Sequence, residues 1–161
     1  MIHPCTDDDI AAIEAVVNDA AERYRGVIPS DCWHDPYMPH SELLHEIVAG
    51  VRFWAWQEES GSLAGVMGIQ TVHDATLIRH AYVSRAYQGR GIGSTLLSRL
   101  LGHATGQVMV GTWAAAEWAI RFYQRHGFGL LSAAEKDQML KTYWTISARQ
   151  RETSVVLRHG K

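Results

Sequence analysis

The chain has 161 residues, 47% of them hydrophobic and 20% charged, with a formal net charge of −2. That balance suits one compact domain burying roughly two-thirds of the surface of its unfolded chain, and it argues against extended disorder, a nucleic-acid surface or an anionic-membrane partner. Cys5 and Cys32 fall outside any metal-ligand spacing and read as free thiols of a reducing compartment; with no signal-like opening and no apolar run of membrane-spanning length, a cytoplasmic protein is expected.

A short strand through Cys5 leads to Thr6 or Asp7, either of which caps a helix with Ile10, Ile13, Val16, Val17 and Ala20 on its apolar face. That helix fades near Arg25-Gly26. Val27 to Pro39 holds three prolines together with Trp33, His34, Asp35, Tyr37 and Met38, which is loop chemistry with a heavy aromatic load. Ser41 opens a second helix through Leu43, Leu44, Ile47 and Val48, stopped by Gly50. Strands follow: Val51 to Glu58, a hairpin turn at Ser60-Gly61-Ser62, Leu63 to Val72 interrupted by Gly65 and Gly68, a turn at His73-Asp74, and Thr76 to Val83.

That last strand feeds Gln88-Gly89-Arg90-Gly91-Ile92-Gly93-Ser94-Thr95, and a helix follows with Ile92, Leu96, Leu97, Leu100 and Leu101 on one face. Glycines at alternate positions let several N–H groups converge on one anion, and the helix adds the positive end of its dipole. A Walker loop is excluded, because Gly93 is followed by Ser94 and Thr95 where the nucleotide-binding lysine belongs. A dinucleotide fingerprint counted from Gly89 needs glycine where Ser94 stands.

Gln107 to Trp113 reads as a further strand. In Ala119-Ile120-Arg121-Phe122-Tyr123-Gln124-Arg125-His126-Gly127-Phe128, the residues Ala119, Phe122 and Tyr123 share a helix face and Gly127 is placed to end it in the left-handed conformation. Leu130 and Leu131 start another strand, Ser132 and Glu135 form a capping-box pattern opening a helix to Tyr143, and Thr153 to Leu157 suits a closing strand.

Gln88, Gly91 and Gly93 fill the pattern Gln/Arg-x-x-Gly-x-Gly/Ala, and the loop resembles the pyrophosphate loop of the GNAT superfamily of acetyl-CoA-dependent N-acetyltransferases. The segment from Ala119 to Phe128, with its Gly-Phe ending, resembles a second GNAT motif, and the order of elements matches over nearly the whole chain. The helix from Ser132 to Tyr143 is an addition to the minimal pattern.

The resemblance implies an α/β GNAT fold, a mixed central β-sheet flanked by helices on both faces, in a single domain over residues 1–161. It implies transfer of the acetyl group of acetyl-CoA to a primary amine by direct attack in a ternary complex, with no metal. Ala81, Tyr82 and Val83 would bond the pantetheine arm; Gln88, Gly89, Arg90, Gly91, Ile92, Gly93 and Ser94 would hold the pyrophosphate; Tyr123 matches the family's tyrosine, a hydrogen-bond donor or general acid toward the sulfur.

The chain departs from the family pattern twice. Ala116 stands seven residues before Tyr123, where many members carry an asparagine that contacts pantetheine. Counting back from the loop, the positions for a catalytic His or Glu fall near Leu77 and Arg79, neither of which accepts a proton, and strand alternation sends His80 to the face opposite Arg79. Three routes for deprotonating the amine stay open: His80 if a bulge alters the register, His34 or Asp35 from the aromatic loop, or water. Arg79 is a candidate for holding an anionic group on the acceptor, and Trp33, His34 and Tyr37, with Met38, are candidate walls of its pocket, which favours a small-molecule amine. His34, His40 and His45 lack the i, i+4 spacing of a helical metal pair. General symmetry considerations admit a homodimer. The competing readings are a CoA-binding sensor or interaction module without turnover, an acetyltransferase acting on a protein N-terminus or lysine, and a site for another phosphate compound.

Overall fold

The computed structural model describes residues 1–160. Strand β1 (Ile2–Pro4) leads through a 3-10 turn at Asp7–Asp9 into helix α1 (Ile10–Ala20). The cap is Thr6: its hydroxyl accepts from the Asp8 N–H at 3.3 Å and its own N–H donates to Asp9 Oδ2 at 2.9 Å. Ile13, Val16, Val17 and Ala20 are buried, as their spacing predicts. Then come α2 (His40–Val48), β2 (Arg52–Gln57), β3 (Leu63–Val72), β4 (Ala75–Val83) and α3 (Ile92–Leu101). The remaining elements are β5 (Gln107–Trp113), α4 (Glu117–Arg125), β6 (Phe128–Leu130), α5 (Ala133–Tyr143), α6 (Ala148–Glu152) and β7 (Ser154–His159).

The architecture is α/β, with the strands in one seven-stranded sheet of order β1-β2-β3-β4-β5-β7-β6. Helix α6 is absent from the sequence reading. It spans five residues, too few for a period to show, and its signal is the cap alone: Ser147 Oγ accepts from the Gln150 N–H at 3.1 Å.

Contacts group the residues into two compact units. The first comprises Met1–Arg23, His34–Gln70 and Ile78–Ala104. In it β2 pairs antiparallel with β1 and β3, with Ile2 opposite Trp56 and Trp54 opposite Met67. Its core joins Ile13 and Val17 of α1 and Leu43 of α2 to Phe53, Ala55 and Val66 of the strands. Met38 belongs to this core and is only 2% exposed, so it is a packing residue rather than a pocket wall. Asn18 fixes it from both sides, accepting from the Met38 N–H at 2.8 Å and donating to the Met38 carbonyl at 3.0 Å. Gly65 and Gly68 are the close-approach points of β3. A Cβ at Gly65 would lie 2.9 Å from Ile92 Cγ2 on α3, and one at Gly68 would lie 2.8 Å from the Arg79 carbonyl oxygen on β4.

The second unit comprises Tyr24–Trp33, Thr71–Leu77 and the chain from Thr105 onward. Here β7 pairs antiparallel with β5 and β6, with Leu157 opposite both Val110 and Leu130. Ala75, Leu77, Met109, Leu140 and Val156 form its core, against which Tyr143 and Trp144 pack. Thr76, 1% exposed, closes a reciprocal pair with Thr105: its hydroxyl donates to the Thr105 carbonyl at 2.7 Å and accepts from the Thr105 N–H at 3.0 Å.

Candidate active site

The glycine loop is held at its entrance by two anchors. Asp19, near the end of α1, accepts from the Arg85 main-chain N–H at 2.8 Å and from the Arg85 guanidinium at 3.0 and 3.2 Å. The main-chain bond first, then the guanidinium, holds the Asp19 carboxyl below the usual carboxylate range against the opposing effect of burial. The second anchor is the Gln88 amide, which donates to the Val83 carbonyl at 3.0 Å and ties the loop to the end of β4.

Gly89 and Gly91 then take φ of +81° and +78°, and a Cβ built at either meets nothing within 4 Å. Glycine is required there by backbone conformation, not by crowding. Gly91 is the N-cap of α3 and supplies no side chain to cap it. The first helical bond belongs to Thr95, whose N–H returns to the Gly91 carbonyl at 3.0 Å. The N–H groups of Ile92, Gly93 and Ser94 therefore precede the helical ladder, at the positive end of the dipole. The Arg90 guanidinium lies 5.2 Å from the centre of the Tyr87 ring. An array of main-chain donors with no carboxylate among its residues suits a phosphorylated ligand.

Three residues before the end of β4, the backbone leaves the regular strand. His80 has φ of +53°, in the left-handed region that side chains rarely enter. The alternation predicted for this strand fails at that residue: Arg79 and His80 do not diverge but meet on one carboxylate oxygen. Arg79 Nη2 and His80 Nε2 each lie 2.8 Å from Glu46 Oε1, and Arg79 Nη1 donates to Gln70 Oε1 at 2.8 Å. Arg79, His80 and Glu46 side chains are 16, 14 and 15% exposed, so the cluster is screened from bulk water but reachable. Burial raises the Glu46 carboxyl, but the His80 hydrogen bond and the Arg79 charge outweigh it and leave the group below its ordinary value. Burial first, and Arg79 second, lower His80 against the pull of Glu46, so the ring is neutral at pH 7. Sequence reasoning missed Glu46. Its only signal is the i, i+4 pairing with Glu42 on α2, where burial and the Glu46 charge push the Glu42 carboxyl up.

Among the other candidates in the first unit, Ala81, Tyr82 and Val83 are half-buried at the end of β4, His34 and Asp35 are exposed, and Tyr37 packs against the core beside Met38. Burial and then Asp9 push the Cys5 thiol up to about 12, which keeps it a thiol. In the second unit, Trp33 lies under the Arg25 guanidinium, 4.6 Å from ring centre to carbon. Tyr123 is 5% exposed, wedged edge-on between Phe122 and Phe128 with centroids at 5.1 and 5.4 Å. Burial, and secondarily Tyr24, raise its hydroxyl well above the ordinary phenol value. Ala116, the N-cap of α4, is fully buried, and its carbonyl accepts from the Ala119 and Ile120 N–H groups at 3.0 and 3.2 Å.

Residues 13–128 match the family model described as "Acetyltransferase (GNAT) family". The chain belongs to the GNAT acetyltransferase family. No curated protein matches it. Among solved structures, a GNAT-family acetyltransferase from Staphylococcus aureus Mu50 is 13% identical with a TM-score of 0.75, covering 99% of this chain and 97% of that one. The PaiA N-acetyltransferase from Thermoplasma acidophilum, in complex with coenzyme A, is 15% identical with a TM-score of 0.74, over 100% and 98% of the two chains. The yncA protein of Salmonella typhimurium, with acetyl-CoA, is 22% identical with a TM-score of 0.63, over 82% and 80%. At these identities the likeness is one of fold. No helix among the described residues is long and apolar enough to cross a membrane.

Proposed function

We propose that this GNAT acetyltransferase is an N-acetyltransferase that uses acetyl-CoA and acetylates a primary amine on a small molecule. The observation that carries the reading is the loop before α3, with two left-handed glycines and three uncapped main-chain donors at a helix start. Such a cradle fits a pyrophosphate, and Gln88, Gly89, Arg90, Gly91, Ile92, Gly93 and Ser94 would hold it. Acetyl-CoA, when bound, supplies an activated acyl carbon.

The chain's own residues supply the rest. The partly exposed main chain of Ala81, Tyr82 and Val83 would orient the pantetheine arm. Tyr123, held protonated by its burial, would donate a hydrogen bond toward sulfur rather than surrender its proton early. The left-handed turn at His80 supports the first of the three routes for the amine proton, with His80 as the general base. Arg79, whose donors go to Gln70 and Glu46, enters as the partner of Glu46 rather than as an anion receptor. His34, exposed, and Tyr37, half-buried, would line the acceptor pocket.

The test is thiol release over a panel of small primary amines and N-terminal or lysine peptides, in wild type and Tyr123→Phe, beside thermal shifts with acetyl-CoA, CoA, ATP and NAD. Shifts with CoA and acetyl-CoA only, amine-dependent thiol release and a slower Tyr123→Phe variant are expected; no shift with either CoA compound would end the reading.

A second reading, CoA binding without turnover, draws on Ala116. Its buried methyl leaves no side-chain donor where many family members have asparagine, one hydrogen bond worth about 1 kcal/mol. A CoA-dependent thermal shift with no amine acceleration across the panel would favour it.

A further inference from the structure

We propose that Glu46 is a positioning residue of this site, a carboxylate that fixes the His80 ring in one tautomer and leaves Nδ1 as the nitrogen that takes the amine proton. The inference rests on the N-acetyltransferase reading and adds to it a residue on a different element, α2, with no motif of its own. An ionised carboxylate only accepts, so the 2.8 Å contact to Glu46 Oε1 makes His80 Nε2 the donor. The proton is then on Nε2 and the lone pair on Nδ1, which bonds no described residue and is not among the buried partnerless atoms. Phe53 stacks beside the ring, with centroids 6.0 Å apart, and limits its rotation.

Glu46 is itself held. Arg79 reaches the same oxygen at 2.8 Å and is braced by Gln70, whose amide donates to the Ala49 carbonyl at 3.1 Å at the end of α2. The four side chains form a closed relay between α2, β3 and β4. When Nδ1 takes a proton from the acceptor's ammonium group, that nitrogen gains the lone pair with which it then attacks, Nε2 keeps its hydrogen, and the new imidazolium charge lies against Glu46. Before that step Glu46 and Arg79 cancel, so the base rests neutral beside a neutral pair. The strained φ at His80 is what brings two consecutive strand residues to this one carboxylate.

The charged groups that bear on the ring's titration are Glu46 of α2 and Arg79 of β4; Glu42 and Tyr82 act in turn on Arg79, His45 on Glu46, and His34 on Glu42. The experiment uses Glu46→Gln, Glu46→Ala and His80→Gln in the full chain. It reads the pH profile of kcat/KM, CoA affinity, and the His80 tautomer by nitrogen-resolved NMR of the ligand-free protein. Wild type should show the Nε2–H tautomer and an acid limb. Glu46→Gln, which keeps the shape and removes the charge, should lower kcat/KM about tenfold and move the acid limb to lower pH. Glu46→Ala should mix the tautomers. His80→Gln should lose roughly a hundredfold in kcat and the acid limb with it, while CoA affinity stays within about twofold. A Glu46→Gln variant with an unmoved profile, or a Glu46→Ala variant that keeps the single tautomer, overturns the positioning role. Wild type that binds CoA yet releases no thiol with any amine ends the base role of His80, while the tautomer still decides whether Glu46 orients the ring.

Discussion

Arg79 and His80 are consecutive residues of β4, yet their side chains donate to the same oxygen of Glu46, each at 2.8 Å. A regular strand would send them to opposite faces. The left-handed backbone of His80 removes that separation, and Gly68 on the neighbouring strand leaves room for the displaced Arg79 carbonyl.

Gly68→Ala should therefore injure the cluster without touching any of its side chains. The new methyl would meet the Arg79 carbonyl oxygen at 2.8 Å and Val51 Cγ1 at 2.7 Å, and backbone does not yield as a flexible side chain does. A loss of about 2 kcal/mol in urea unfolding is expected. A variant as stable as wild type would show that the two strands separate at no cost.

Gly91→Ala tests the loop by conformation alone. A Cβ there has open space, so the only penalty is the φ of +78°, about 1 kcal/mol in the free protein. CoA binding should weaken by about tenfold in calorimetry, because the N–H groups of Ile92, Gly93 and Ser94 lose their common aim. Unchanged affinity would dissociate this loop from the ligand.

Acid should destabilise the protein through the Glu46–His80 pair. Both groups have folded pKa values below their unfolded values of 4.5 and 6.5, so the unfolded chain binds more protons as pH falls. Stability is full above about 6.5 and declines first as unfolded histidine protonates, then again below about 4.5 as unfolded glutamate does. Denaturation midpoints from pH 7 to 5 should fall in wild type and flatten in His80→Gln.

Base should act through Tyr123 with the opposite sign. Its folded pKa is raised above the ordinary 10.0, so the unfolded chain loses this proton first and stability declines as pH rises through that value. Unfolding midpoints between pH 9 and 11 should drop more steeply in wild type than in Tyr123→Phe. Parallel curves would place the hydroxyl in water rather than among Phe122 and Phe128.

The elements that periodicity controls were readable residue by residue. Leu63–Val72 and Gln107–Trp113 are strands to the predicted residue, and α3 buries Ile92, Leu96, Leu97 and Leu100 as its spacing requires. Loop chemistry was equally legible, since Gly89, Gly91 and Gly127 all adopt positive φ. The reading failed where a local rule was broken by tertiary contacts. Strand alternation describes a regular backbone, and nothing in the residues around His80 announces a positive φ at a histidine. Glu46 lies 33 residues before Arg79 and 34 before His80, on a helix whose visible pattern concerns its apolar face, so the partnership has no local trace. Met38 reads from the sequence as a pocket wall because composition cannot reveal the paired bonds from Asn18 that fix it in the core.

Main-chain donors at the start of α3 also have an evolutionary aspect. Side-chain receptors are lost or retuned by single exchanges, whereas the N–H groups of Ile92, Gly93 and Ser94 persist under every substitution except proline. What drift can remove is only the pair of left-handed glycines that aims them. The aim of those three donors thus depends on Gly89 and Gly91, whose φ values of +81° and +78° no side chain takes without strain.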